Sequence, residues 1–217
     1  MSRLVVFDCD GTLVDSQAAI CRSMEAAFAA AGLAPPDRGD IRRIVGLSLP
    51  QALARLAPDA PADTRVHALE AYKASFRSAR SDGTLQEPLF PGMAALLHRL
   101  HHAGRALGVA TGMSDRGLSA CLTRHGLREL FATLQTADRH PSKPHPAMLE
   151  AALFEAGAGA HETVMVGDTV FDIAMARGAG VRAVGVAWGY HHPAELLEAG
   201  ASGVAQSAEE LELLIDG

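Results

Sequence analysis

Four consecutive apolar residues, Leu4-Val5-Val6-Phe7, run directly into Asp8-Cys9-Asp10-Gly11-Thr12-Leu13-Val14-Asp15-Ser16. An uninterrupted apolar run of this length reads as a strand buried on both faces, the pattern of a parallel sheet covered by helices. Two acids one residue apart then stand where the chain leaves the sheet. Buried carboxylates are costly and repel each other, so packing does not explain them; a positive partner must lie between them. A hard divalent cation such as Mg2+ suits, because it takes oxygen ligands, uses one or two carboxylates and completes its shell with water and phosphate oxygens. Gly11 permits a tight turn, Thr12 supplies a hydroxyl, and Asp15 or Ser16 is placed to cap a following helix.

The rest of the chain divides in two by texture. Residues 17–84 carry helical patterns at 17–31, 40–45, 49–56 and 62–76 and no convincing strand. From Gly92 onward, helices alternate with short apolar strands at 106–110, 133–135, 164–166, 183–186 and, weakly, 203–205. The expected architecture is therefore α/β, a Rossmann-like parallel sheet core formed by residues 1–16 and 85–217 with a helical cap inserted at 17–84. The second crossing between them, residues 80–91, is rich in Gly, Pro and polar side chains, as a hinge is. An insertion at this point can close over the site, exclude water and contact the part of a substrate that varies.

Ligands of open parallel sheets bind beyond the carboxyl ends of the strands. After 106–110 come Thr111 and Gly112, a hydroxyl and a small residue near a helix start that can offer donors to phosphate oxygens. After 164–166 come Gly167-Asp168-Thr169-Val170-Phe171-Asp172, a second pair of acids: Asp168 is placed to complete a cation's ligands and Asp172 to support it, or else to sit favourably in a first helical turn. Lys143 lies between prolines in Pro141-Ser142-Lys143-Pro144. A fixed ammonium there would offset negative charge gathered at the strand ends.

Together these segments resemble the four signature motifs of the haloacid dehalogenase superfamily of aspartyl phosphohydrolases, in order, with D-x-D-G-T-L-x-D-S matched at every specified position. The resemblance implies Asp8 as nucleophile, Asp10 as acid and base, Thr111, Gly112 and Lys143 as phosphate binders, and Asp8, Asp10 and Asp168 as Mg2+ ligands, Asp10 through its carbonyl oxygen, with Asp172 behind them. The second acid separates the chain from dehalogenase members, which lack it, and Gly11-Thr12 from mutase members, which typically read D-G-V. The implied activity is hydrolysis of a small phosphomonoester; a sugar-phosphate mutase and a non-catalytic phosphate-binding or metal-binding protein are the alternatives. The segment Asp40-Ile41-Arg42-Arg43-Ile44-Val45-Gly46-Leu47-Ser48 resembles the cap of phosphoglycolate phosphatase-like members. That makes Arg43 a candidate partner for a substrate carboxylate, although a surface arginine is the ordinary reading.

A net charge of -6 without a basic block argues against nucleic acid or a membrane surface as partner. No apolar run approaches the ~18 residues of a membrane span. Three cysteines without C-x-x-C spacing fit a reducing compartment, so a cytoplasmic monomer or homodimer is expected. His98 and His102 are helical neighbours without a third ligand, and Trp188-Gly189-Tyr190-His191-His192-Pro193 reads as a packed loop beside the mouth of the site.

Overall fold

The computed structural model describes residues 3–217; Met1 and Ser2, at the start of the expected core segment, lie outside the described residues. Six strands form one parallel sheet: β1 (Leu4–Phe7), β2 (Ala106–Thr111), β3 (Phe131–Thr136), β4 (Thr163–Gly167), β5 (Arg182–Val186) and β6 (Val204–Ala205). Their spatial order is β3-β2-β1-β4-β5-β6. The chain builds outward from β1 in one direction and then returns to start β4 on its other side. This reversal opens a crevice between β1 and β4 at the carboxyl ends of the strands.

Side-chain alternation along β1 distributes its apolar run between two cores. Val5 and Phe7 pack on one face with α5 (Met93–His102), α6 (Asp115–Arg124) and α10 (Ala208–Asp216), through Leu96, Leu118 and Leu211 among others. Leu4 and Val6 pack on the other face with α7 (Ala147–Ala156), α8 (Val170–Gly178) and α9 (Pro193–Ala199), through Leu149, Ile173 and Leu196. Burial on both faces is the reason the run needs no polar alternation.

Between β1 and β2 the chain forms α1 (Gln17–Ala30), α2 (Arg38–Ile44), α3 (Leu49–Leu56) and α4 (Ala62–Ser81). These four helices share their own core, in which Met24, Phe28, Ile41 and Leu53 are buried. The chain returns to the sheet against its own point of departure: Asp15 N–H donates to Pro88 C=O at 2.8 Å, and Val14 bridges to Leu89. Helix α4 continues to Ser81, beyond the expected 62–76, because Arg77 to Arg80 contain no helix breaker; the stop comes at Asp82-Gly83, where Gly83 takes φ +69°. Strand β3 likewise extends past 133–135. Its buried Thr133 and Gln135 hide the apolar signal but satisfy each other, Gln135 Nε2 donating to Thr133 Oγ1 at 2.7 Å. Among the described residues no helix is long and apolar enough to cross a membrane.

Leu97 is fully buried in the first sheet core, whereas Phe154 on α7 is 86% exposed. Leu97→Ala is expected to lower unfolding free energy by about 2–5 kcal/mol, and Phe154→Ala to change it by less than about 0.5 kcal/mol, both read by denaturant titration. A similar cost at the two positions would contradict the packing described.

Candidate active site

The acid pair leaves the sheet at the crevice between β1 and β4. Asp8 follows β1 and is buried; its Oδ1 accepts from Cys9 N–H at 2.7 Å and meets Lys143 Nζ at 2.9 Å. Lys143 is also fully buried, and its ammonium donates to Asp172 Oδ1 at 2.6 Å, so one lysine joins two carboxylates. Asp168 follows β4. Its Oδ1 accepts from Thr12 Oγ1 at 2.7 Å and its Oδ2 from Tyr190 N–H at 2.9 Å. Asp172 opens α8 in a reciprocal cap with Thr169, accepting from Thr169 N–H at 3.0 Å and Thr169 Oγ1 at 2.7 Å. It therefore serves both as the helix-start acid and as the partner of Lys143.

Asp8, Asp168 and Asp172 each place a carboxylate oxygen within 4.8 Å of the others. Burial, the strongest influence, raises the Asp8 carboxyl; Lys143 opposes it while Asp172 and Asp10 reinforce it, leaving Asp8 at about 7. Burial and then the neighbouring Asp172 and Asp8 push Asp168 well above the usual carboxylate range, against its bonds from Tyr190 and Thr12. For Lys143, burial alone would lower the ammonium, but Asp172 and Asp8 outweigh it and raise it. Fully ionised, three carboxylates and one ammonium leave two negative charges in a buried space.

That imbalance fits a hard divalent cation. Asp8 Oδ2 is buried with no hydrogen-bond partner, a costly state for a carboxylate oxygen unless a ligand supplies the missing contact. The donor set consists of carboxylate oxygens, which suits such an ion. Asp10 stands outside this trio and faces the cavity beside Asp8. Burial raises its carboxyl also, opposed by the Ser16 hydroxyl and by Lys143.

A cavity of about 430 Å3 joins Asp8, Asp10, Thr111 and Gly112 on the sheet side to α1, α3 and α4 on the helical side. Thr111 ends β2, where its hydroxyl accepts from Met113 N–H at 3.3 Å. Gly112 has no side chain for a clear reason: a Cβ there would stand 2.6 Å from Leu47 C=O and 2.8 Å from Gly46 C=O. The loop between α2 and α3 thus rests on the backbone of the phosphate-binding candidate. Ser48 N–H, donating to Ser142 Oγ at 2.7 Å, ties the same loop to the segment carrying Lys143.

Arg43 lies apart from these residues. Its guanidinium is paired with Glu195 at 2.7 and 2.9 Å, on the outer side of α2, and it does not line the cavity. The segment 188–193 lies closer to the acids than sequence reading suggested. Trp188 Nε1 donates to Thr12 C=O at 3.1 Å, Tyr190 N–H holds Asp168, and the Tyr190 hydroxyl shares a 3.2 Å hydrogen bond with Ser16. Gly189 passes so near Asp168 that a Cβ would lie 2.2 Å from the Cβ of that aspartate. The signal available in the sequence was a glycine between two aromatic residues just past a strand end, where a backbone must approach something closely.

Three comparisons bear on this geometry. The sequence pattern of the haloacid dehalogenase-like hydrolase family matches residues 5–186. The probable phosphatase IndB of Dickeya dadantii is 39% identical over 196 residues, covering 88% of this chain and 84% of its own. A phosphoglycolate phosphatase of Agrobacterium fabrum is 31% identical over 195 residues, covering 88% and 82%. Among solved structures, a predicted phosphatase from Clostridium acetobutylicum superposes with a TM-score of 0.88 at 24% identity, over 99% of this chain and 98% of that one. The strand order, the acids at the ends of β1 and β4 and these likenesses lead to one conclusion: the chain belongs to the haloacid dehalogenase-like hydrolase family.

Proposed function

We propose that the protein is a Mg2+-dependent phosphatase that hydrolyses a small phosphomonoester through an aspartyl phosphate on Asp8, with phosphoglycolate the reference ester that the family resemblance suggests. The observation that carries this reading is Asp8 Oδ2, a buried carboxylate oxygen without a partner on a residue that lines the cavity. Its sister oxygen is anchored by Cys9 N–H and Lys143, which holds the carboxylate in one orientation. Relatives with phosphatase names support the same chemistry.

In this proposal Asp8 Oδ2 attacks phosphorus and the ester oxygen departs with the alcohol. Asp10, biased toward its protonated form by burial, gives that oxygen a proton. It then takes one from the water that attacks the aspartyl phosphate, releasing inorganic phosphate and restoring Asp8. Lys143, Thr111 and Gly112 receive the oxygens of the transferring group. Asp8, Asp10 and Asp168, supported by Asp172, would hold the Mg2+, whose contribution when bound is to screen the negative charge shared by nucleophile and phosphate. Arg43 takes part only if it exchanges Glu195 for a substrate carboxylate.

Hydrolysis of a panel of phosphate esters in Mg2+ is expected, with loss on chelation and a fall of at least about a thousandfold in Asp8→Asn. Turnover of no ester by the intact protein would favour a binding role instead. Asp10→Asn should slow both phosphoryl transfer and dephosphorylation by about 10²–10⁴-fold while keeping a Mg2+-induced rise in Tm. Wild-type turnover in that variant would remove the proton-shuttle role.

The Asp8 carboxyl also makes stability depend on pH. With chelator present, the folded protein keeps the Asp8 proton up to about 7, whereas the unfolded chain releases it near 3.8. The folded state therefore binds more protons in that window, and stability falls as pH rises through it. Thermal melts should show this decline, and Asp8→Asn should flatten it. Mg2+ should raise Tm more at pH 7.5 than at pH 5. An equal shift at both would contradict the assignment of Asp8 as a ligand.

A further inference from the structure

The alcohol half of the ester leaves past Asp10, and the cavity wall beyond Asp10 has an unusual composition. Along α4, Lys73, Phe76, Arg77 and Arg80 recur at spacings of three and four, so they share one helix face, and that face lines the cavity. From Leu69 to Arg80 the lining stretch of this helix is about 16 Å long. A cavity of about 430 Å3 falls in the range of ~300–1,000 Å3 that takes ligands of many atoms, far more than a two-carbon ester fills. Phe76, with Ile20 and Met24 from α1, makes part of its wall apolar.

Arg80 is the residue in this wall that lacks what its chemistry demands. Its Nε is buried without a hydrogen-bond partner. The nearby acid is Glu87: its Oε2 receives Arg124 Nη1 at 3.3 Å, its Oε1 is buried without a partner like Arg80 Nε, and no ion pair among the described residues joins it to Arg80. Its carboxyl is raised by burial and by Asp10, with Arg124 and Arg80 pulling the other way. Arg80 and Asp10 both line the cavity. Lys73 is paired with Glu70 at 3.1 Å. Arg77 and Arg116 line the cavity with no carboxylate partner among the described residues. In a chain of net charge -6, Arg77, Arg80 and Arg116 bring positive charge to a cavity that Asp8, Asp10 and Asp138 also line. A buried guanidinium donor left without an acceptor is destabilising, and a ligand oxyanion removes that penalty.

We infer that Arg80, with Arg77 beside it, binds a second anionic group on the alcohol half of the substrate. The substrate class is then a phosphomonoester whose alcohol carries that anion beyond an apolar segment longer than two carbons. The inference rests on the phosphatase reading for its chemistry and names which esters the site prefers. A structural role for Arg80, balancing Glu87 under the first loop, predicts something different: its loss would slow all esters alike.

The experiment compares butyl phosphate, 4-phosphonooxybutanoate and 1,4-butanediol bisphosphate, which share a four-carbon chain, with phosphoglycolate. The wild-type protein should favour one of the two anionic four-carbon esters over butyl phosphate and over phosphoglycolate by at least about tenfold in kcat/KM, chiefly through KM, as one charge-assisted contact allows. Which anionic ester leads distinguishes a carboxylate from a phosphate as the second group. R80Q should bring the preference over butyl phosphate close to one, and R80K should retain part of it. Because the ratio is taken within one variant, partial loss of folded protein cancels. An unchanged ratio in R80Q, no preference in the wild type, or phosphoglycolate as the best of the four would overturn the inference. Calorimetric affinities of the same esters for Asp8→Asn separate the two levels: an affinity ratio that depends on Arg80 without wild-type turnover keeps the subsite and removes the phosphatase reading, whereas turnover with no dependence on Arg80 does the reverse.

Discussion

The arrangement depends on one buried ammonium. Lys143 sits between Asp8 and Asp172 with no exposure, 2.9 Å from one and 2.6 Å from the other. Removing a lysine and two carboxylates from water costs far more than one isolated ion pair returns, so the surroundings must supply the remaining contacts. They do so from every element that meets the crevice: Cys9 N–H on Asp8, Thr169 on Asp172, Thr12 and the Tyr190 backbone on Asp168. What they leave unmet is Asp8 Oδ2 and an excess of negative charge. The unmet atom is the proposed nucleophile, and the excess charge is what a divalent cation would neutralise. Structural cost and chemical use coincide at this point, as expected where a fold stores strain for function.

The sheet makes that concentration of charge possible. β1 is covered on both faces and flanked by β2 and β4, so its end is shielded on all sides except toward the helical layer. Gly112 lets the α2–α3 loop rest on the phosphate-binding candidate, and Gly189 lets the 188–193 segment press on Asp168. The result is a site whose reactive end is framed by backbone and short side chains while its far end is framed by α4. In the proposed reading, the chemistry and the choice of substrate fall to separate parts of the chain.

Much of the reactive end was legible in the sequence because its residues violate ordinary packing. Acids directly after an apolar strand, as at Asp8 and Asp168, stand out in sequence because a buried carboxylate there needs partners that packing alone does not supply. Asp172 was ambiguous for a good reason, since it does two things at once. The 188–193 segment was harder to read because its contacts run through backbone atoms and one indole, which leave no periodic mark. The far end was nearly silent. Arg77 and Arg80 continue a helix whose pattern fades after Phe76, and an arginine with no partner is indistinguishable in sequence from one with many. Arg43 illustrates the opposite difficulty: a position suggested by resemblance turns outward and pairs with Glu195, a residue 152 positions away.

The central claim is that Asp8 becomes covalently phosphorylated during turnover. Borohydride quenching of the Mg2+-loaded protein while it hydrolyses an ester, followed by peptide mass spectrometry, tests it directly, because reduction of an aspartyl phosphate leaves homoserine in place of aspartate. The account predicts homoserine at position 8, dependent on ester and absent with chelator. Steady turnover with no homoserine at position 8, or with the modification at Asp10 or Asp168, would contradict it.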